Sequence, residues 1–197
     1  MSQTKPTVYL SFDIEADGPS PQYNNMLSIG IWGFNELGEE IIAWERNLFP
    51  RQGKKSDPAT MLEFWAKYPD AWKYVNTNRV STTIAFTELH SILSKLHLNY
   101  RIEWVAWTAS FDWQWLNCYY QDFVESNPEV DWLKLAHKAT CMSSVWSFYV
   151  KQQKLTKEAE NNLWNTLSTG DGGHYALADA KCQGQLYYNL MKLVGIF

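Results

Sequence analysis

Five residues carry most of the chemical content of this sequence: Asp13 and Glu15 in TVYLSFDIEADG, Asp112 in WTASFDWQWLN, and His174 with Asp179 in GGHYALADA. Carboxylates brought into one place repel, by about 4 kcal/mol for a pair at 4 Å and an effective dielectric of 20. Gathered by folding, four of them need counter-charge, and two divalent cations would cancel four negative charges. All-oxygen ligands select hard cations, Mg2+ or Mn2+, over zinc. A histidine beside them adds a group able to exchange protons near neutral pH. The chemistry on offer is metal-assisted hydrolysis with a general base.

Each residue also has a plain explanation by itself. Asp13 and Glu15 are two apart in an apolar strand, so both side chains leave one face, with Cα atoms roughly 6.5–7 Å apart. A solvated acidic face accounts for them as well as a ligand pair does, although acidic residues are depleted in strands. Asp112 stands at a helix start, where a carboxylate favours the macrodipole. His174 and Asp179 are five apart, the first in a glycine-led loop and the second in the opening turns of a helix. What separates the set from these explanations is its order: an acidic strand, an acid after a second strand, then a His/Asp pair on the final helix.

The elements that must position these residues follow from periodicity. Residues 7–16 alternate, with Val8, Leu10, Phe12 and Ile14 on one face and Tyr9, Ser11, Asp13 and Glu15 on the other. Apolar runs at 26–34 and 39–49, joined by NELGE, complete a three-stranded antiparallel meander. Ser56-Asp57-Pro58 opens a helix continued by TMLEFWAKY, and Pro69 opens another. Ala85, Leu89, Ile92, Leu93 and Leu96 make a helical stripe over 82–98. Residues 102–109 read as a strand buried on both faces, and Ser110 with Asp112 starts the helix after it. The stretch 131–150 is ambiguous, with room for a short strand near Leu133 to Cys141 and a helix after Ser143. Residues 151–173 form a polar passage with room for a short helix, read as a flexible flap. The last helix carries Leu177, Ala180, Gly184, Tyr187, Met191 and Val194 along one side. Strands first, then strands alternating with helices, give an α/β layer fold with a mixed sheet.

The 197 residues are expected to form a single domain, 1–197. Hydrophobic residues at 46% against 19% charged exclude a disordered chain beyond the first few positions. No apolar run approaches a membrane span and no leader-like segment is present, so the expectation is a soluble cytoplasmic protein without a membrane partner. Cys118, Cys141 and Cys182 are odd in number and lack CxxC spacing, which fits free thiols rather than disulfides or zinc. A net charge of −4 argues against a tight non-specific nucleic-acid binder, though not against an enzyme that grips phosphate through metal. His90, His97 and His137 read as structural or solvated.

DIE, SFD and HxxxxD, in that order, resemble the three exonuclease motifs of the DEDDh 3′-to-5′ exonucleases, the superfamily of ribonuclease T, oligoribonuclease and polymerase proofreading subunits. FDIEADGPSPQYNNMLSIGI, NLFP followed by TMLEFWAKYPDAW, and HYALADAKCQGQLYYNLM are similar to a small stand-alone bacterial and phage-type subgroup. The resemblance implies a ribonuclease H-like fold: a central mixed sheet of five or slightly more strands with helices on both faces. It implies Asp13, Glu15, Asp112 and Asp179 as ligands of two Mg2+ or Mn2+ ions, and His174 as general base. The substrate would be a single-stranded nucleic-acid 3′ end or overhang, RNA or DNA, released as nucleoside 5′-monophosphates. Ala16, Trp107, Ser110, Phe111 and Trp113 are the candidate substrate contacts, the aromatic ones because bases stack on such faces. Two departures touch substrate contacts and local support: Thr108 stands where many relatives carry asparagine, and Cys141 near a place where they often carry aspartate. Some relatives dimerise, so a homodimer is admitted, with no interface segment legible. Two rival readings are a non-catalytic nucleic-acid-binding domain on the same fold and an endonuclease or transposase-type relative; the His174/Asp179 pair disfavours the latter.

Overall fold

Alternation over residues 7–16 produces β1 (Thr7–Ala16), the middle strand of a sheet in the order β3-β2-β1-β4-β5. The computed structural model describes residues 5–131, 133, 135, 138–170 and 172–197. β1 pairs antiparallel with β2 (Met26–Phe34), which pairs antiparallel with β3 (Glu40–Asn47). The Asn35 carboxamide oxygen accepts the backbone N–H groups of Leu37 and Glu39, and Gly38 takes the positive φ, 79°, that closes this hairpin. On its other side β1 pairs parallel with β4 (Arg101–Ala106), followed by the two-residue β5 (Thr140–Cys141). The expected mixed five-stranded sheet with an opening meander is therefore observed.

Helices cover both faces. On one lie α3 (Thr82–Asn99) and α4 (Ala109–Glu125), whose Phe86, Leu89, Leu93, Trp115 and Leu116 enclose Val8, Leu10, Phe12 and Ile14. On the other lie α5 (Met142–Gln152), α6 (Lys157–Leu167) and α7 (Ala176–Leu193), with Met142, Trp146, Leu186, Tyr187 and Leu190 against Tyr9, Trp32 and Val105. The polar-looking face of β1 is thus buried too, which is why its carboxylates cannot be a solvated stripe. Gly184 lets α7 press onto the sheet, since a Cβ there would lie 2.6 Å from the Trp32 ring and 2.9 Å from Ser11 Cβ. The short α1 (Pro58–Glu63) and α2 (Pro69–Val75) flank a 3-10 turn, Trp65–Lys67; Asp57 caps α1 by accepting from Thr60 N, with Pro58 in the first turn.

Four expectations change. β4 ends at Ala106 and only its last half is fully buried, because its first residues lie at the rim of the sheet. Of the strand read near Leu133 to Cys141, the described residues show pairing at Thr140 and Cys141; residues 132, 134, 136 and 137, and with them His137, lie outside the described residues. The stretch read as a flap contains α6, capped by Thr156 and docked on the core through Leu163, Trp164 and Leu167. Val194 follows the end of α7 and is exposed, because the chain turns away there at Gly195. Among the described residues, no helix is long and apolar enough to cross a membrane.

Candidate active site

The C-terminal end of β1 and the N-terminal ends of α4 and α7 meet at one place, and each brings a carboxylate. Parallel pairing of β1 with β4 stops at Ser11 and Val105, which leaves the Ile14 N–H free of a strand partner. Asp112, in the first turn of α4, accepts that N–H at 3.1 Å, so β1 itself orients the acid contributed by the second motif. Asp13 and Glu15 stand opposite Gly30 and Ser28 of β2, just before a register shift at Ala16. Gly30 is required there, because a Cβ would come within 2.2 Å of Leu177 N at the start of α7.

α7 has no side-chain cap of its own. Glu45 of β3 supplies one, accepting the Leu177 N–H at 3.0 Å from 132 residues away. Asp179 is fixed from the other direction: Gly172 N donates to its Oδ1 at 2.9 Å, and a Cβ on Gly172 would lie 2.2 Å from Asp179 N. Its Oδ2 is buried without a hydrogen-bond partner. Gly173 and His174 both take positive φ, 71° and 64°, which turns the loop so that the imidazole lies beside the acids. For a residue with a Cβ that backbone costs on the order of 1–3 kcal/mol. The ring is braced edge-on by Tyr68 and Phe64, at centroid distances of 4.1 and 4.7 Å.

All five residues line one open cavity of about 1070 Å³. Ligand atoms of Glu15, His174 and Asp179 lie within 4.8 Å of one another. Burial pushes the Glu15 carboxyl up to about 8, helped by Asp179 and Asp112. Burial likewise takes Asp112 to about 7 against the pull of the Ile14 N–H, and it raises Asp179. Asp13 keeps some surface open to the cavity, yet desolvation, then Asp112, Glu15 and Asp179, hold it well above the ordinary carboxylate range. Among the described residues, no lysine or arginine forms an ion pair with any of the four. Four clustered acids, Glu15 and Asp112 buried and Asp13 and Asp179 partly so, without a basic partner and one with an unsatisfied oxygen, fit hard divalent cations as their counter-charge.

The candidate substrate contacts divide once the chain is folded. Ala16, Trp107 and Phe111 line the cavity, as does Thr108. Ser110 is exposed and is not among the lining residues, while Trp113 packs edge-on to Phe12 and Trp104 in the core. Cys141 adjoins Asp112; burial raises its thiol, and hydrogen bonds with Ser143 and Ser144 outweigh that, bringing it to about 7. Cys118, Cys141 and Cys182 are all free. His90 Nδ1 lies 2.9 Å from the Tyr120 hydroxyl, a structural setting.

Sequence reading misses four residues. Phe64, at the C-terminal end of α1, and Trp164 of α6 wall the cavity, Trp164 lying edge-on to Trp107 at 5.0 Å. No spacing rule links such distant aromatics. Asp17, buried, accepts from Asn25 N and Nδ2 and from Ser56 Oγ, anchoring the loop that leads into α1. Gln183 is legible in principle, since it follows Asp179 by one helical turn and so shares its face.

No protein-family model and no curated protein matches the chain. Solved structures do match its fold. The nuclease domain of 3′hExo, a DEDDh family member solved with rAMP, is 13% identical, with 96% of this chain and 94% of that one covered at a TM-score of 0.60. Pop2p of S. pombe, in its Mg2+ and Mn2+ bound form, is 15% identical, with coverages of 95% and 83% and a TM-score of 0.57. The zinc-bound ExoI–ssDNA complex of E. coli is 13% identical at a TM-score of 0.65, covering 98% of this chain and 42% of that one. The chain therefore has the ribonuclease H-like fold of these proteins, and it spans less than half of the E. coli enzyme.

Proposed function

We propose that this protein, acting as one domain over 1–197, is a metal-dependent 3′-to-5′ exonuclease. It removes nucleoside 5′-monophosphates from single-stranded 3′ ends or overhangs. The observation that carries this reading is the convergence of four carboxylates and His174 on one open cavity, with no basic side chain paired to the acids among the described residues. Its support from solved structures is a fold shared with the 3′hExo nuclease domain, with Pop2p in its Mg2+ and Mn2+ bound form, and with an ExoI–ssDNA complex.

Asp13, Glu15, Asp112 and Asp179 would hold two Mg2+ or Mn2+ ions, which when bound would supply activation of water and charge stabilisation at the leaving 3′ oxygen. The chain's own residues do the rest. Ile14 N–H and Gly172 N–H keep Asp112 and Asp179 turned inward. His174, braced by Tyr68 and Phe64, takes the proton of the attacking water at its ring nitrogen. Ala16, Trp107 and Phe111, with Phe64 and Trp164, form the walls that receive the terminal nucleotide; Ser110 and Trp113 have no part in them. The three free thiols suit a reducing compartment, and we place the protein in the cytoplasm.

The test is a set of 3′-labelled and 5′-labelled strands, each as RNA and as DNA, with Mg2+, Mn2+ or excess chelator. The 3′ label should be released at once as mononucleotide while 5′-labelled strands shorten as a ladder, and the better-cleaved sugar identifies the substrate. Undiminished activity in chelator, or cuts in a circular strand, would show the proposal to be wrong.

A further inference from the structure

Gln183 lies on α7 one turn beyond Asp179, half-buried at the cavity wall, and its carboxamide bridges two parts of the site. Its Oε1 accepts the backbone N–H of Trp107 at 2.7 Å, and its Nε2 donates to Asp13 Oδ1 at 2.7 Å. A backbone N–H can only donate, so it settles which end of the amide faces it. The other end is then a donor, aimed at Asp13. The amide can reverse only by setting donor against donor at Trp107 and acceptor against acceptor at Asp13.

We infer that Gln183 is a positioning residue for Asp13, holding one carboxylate oxygen so that the rest of the group is presented to a divalent cation. This rests on the metal-dependent reading above. The bridge has a second consequence. Trp107 follows the last residue of β4 and begins the turn into α4, and its ring meets Trp164 of α6 in the cavity wall. The same amide therefore keeps the aromatic wall in register with the acid on β1. A donor on the far side of a metal ligand fixes that ligand's orientation, and loss of such a partner typically lowers metal affinity by about 10–100-fold.

The decisive measurement is calorimetric titration of Mn2+ into chelator-stripped full-length protein without nucleic acid, well below each variant's melting temperature. Gln183→Met keeps the length of the side chain and loses both hydrogen bonds. Gln183→Glu keeps an acceptor for the Trp107 N–H but turns a carboxylate oxygen toward Asp13. Both are expected to weaken Mn2+ binding by about 10–100-fold, whereas Gln185→Met, whose parent side chain bonds to Asn189, stays within about twofold of wild type. Unchanged affinity in Gln183→Glu would mean that the residue merely braces Trp107, and the inference would fall while the exonuclease reading stood. Should Gln183→Met not fold, Gln183→Glu decides alone. A wild-type chain that binds neither Mn2+ nor Mg2+ would remove the exonuclease reading, and this inference with it.

Discussion

Stripped of metal, this protein should become less stable as the solution is made more alkaline between about pH 5 and 8.5, opposite to the usual behaviour of paired carboxylates. Glu15 titrates at about 8 in the folded chain against 4.5 as an ordinary glutamate, and Asp112 at about 7 against 3.8. Both folded values lie above the unfolded ones, so the native state binds the extra protons. The resulting stabilisation is complete below about pH 4 and is lost as pH rises through 7 to 8. At about 1.4 kcal/mol per pH unit per proton, and because the four acids share one repulsion so that their separate shifts do not add, the loss for the whole site is on the order of 3 kcal/mol. For a chain of this length that is roughly 6–12 °C in melting temperature. Glu40 and Glu88, lowered by their partners, lose stability only below about pH 5 and so leave the window clear. His97, lowered by burial and Lys5, works weakly in the opposite direction, as does Cys141 above about pH 7, because its thiol is brought down to about 7 in the folded chain. Melting curves in chelator across the window, repeated with Glu15→Gln and with saturating Mg2+, isolate the site. The slope should be steep in wild type, shallower in Glu15→Gln and flat or reversed with Mg2+. A metal-free melting temperature that is flat or rises with pH in wild type would refute the claim that these acids are buried together without counter-charge.

Asp179→Asn should cut turnover by about 10³-fold or more, since losing several kcal/mol of charge stabilisation costs tenfold per 1.4 kcal/mol. Its metal-free form should melt no lower than wild type at about pH 8, as one uncompensated charge is gone. His174→Ala should lower kcat by about 10²–10⁴-fold with a smaller change in KM, measured on a 3′-labelled oligonucleotide under saturating Mn2+. Gly184→Ala should cost about 1–3 kcal/mol in a denaturant titration, because the added methyl meets Trp32 and Ser11 and lifts α7 from the sheet. An unchanged midpoint would show that α7 does not bear on the sheet as closely as described.

Much of the architecture is legible along the chain because its signals are local. The period-2 pattern of residues 7–16, the hairpin at NELGE, the Asp57-Pro58 start and the stripe from Ala85 to Leu96 depend on neighbours within a few positions. So do the identities of Asp13, Glu15, Asp112, His174 and Asp179, whose types and order name a chemistry before any coordinates exist. Where periodicity lapses, so does legibility. The stretch holding α6 reads as a polar flap with room for a short helix, and its docking is not legible because that depends on three apolar residues meeting a core built elsewhere. Trp113 reads as a base contact because it adjoins Asp112, but successive helical positions point about 100° apart, and its ring turns into the core.

The sequence alone therefore determined which side chains were available and which strand or helix would carry each one, since propensity, capping and periodicity act over a turn or two. Only the tertiary structure decided that β1 is buried on both faces, that Glu45 caps α7 from another strand, and that Gln183 joins Asp13 to Trp107. Those contacts span roughly 76 to 170 residues of chain. No short-range rule encodes them, because they exist only when distant backbone segments are packed closely enough for a single hydrogen bond to reach across.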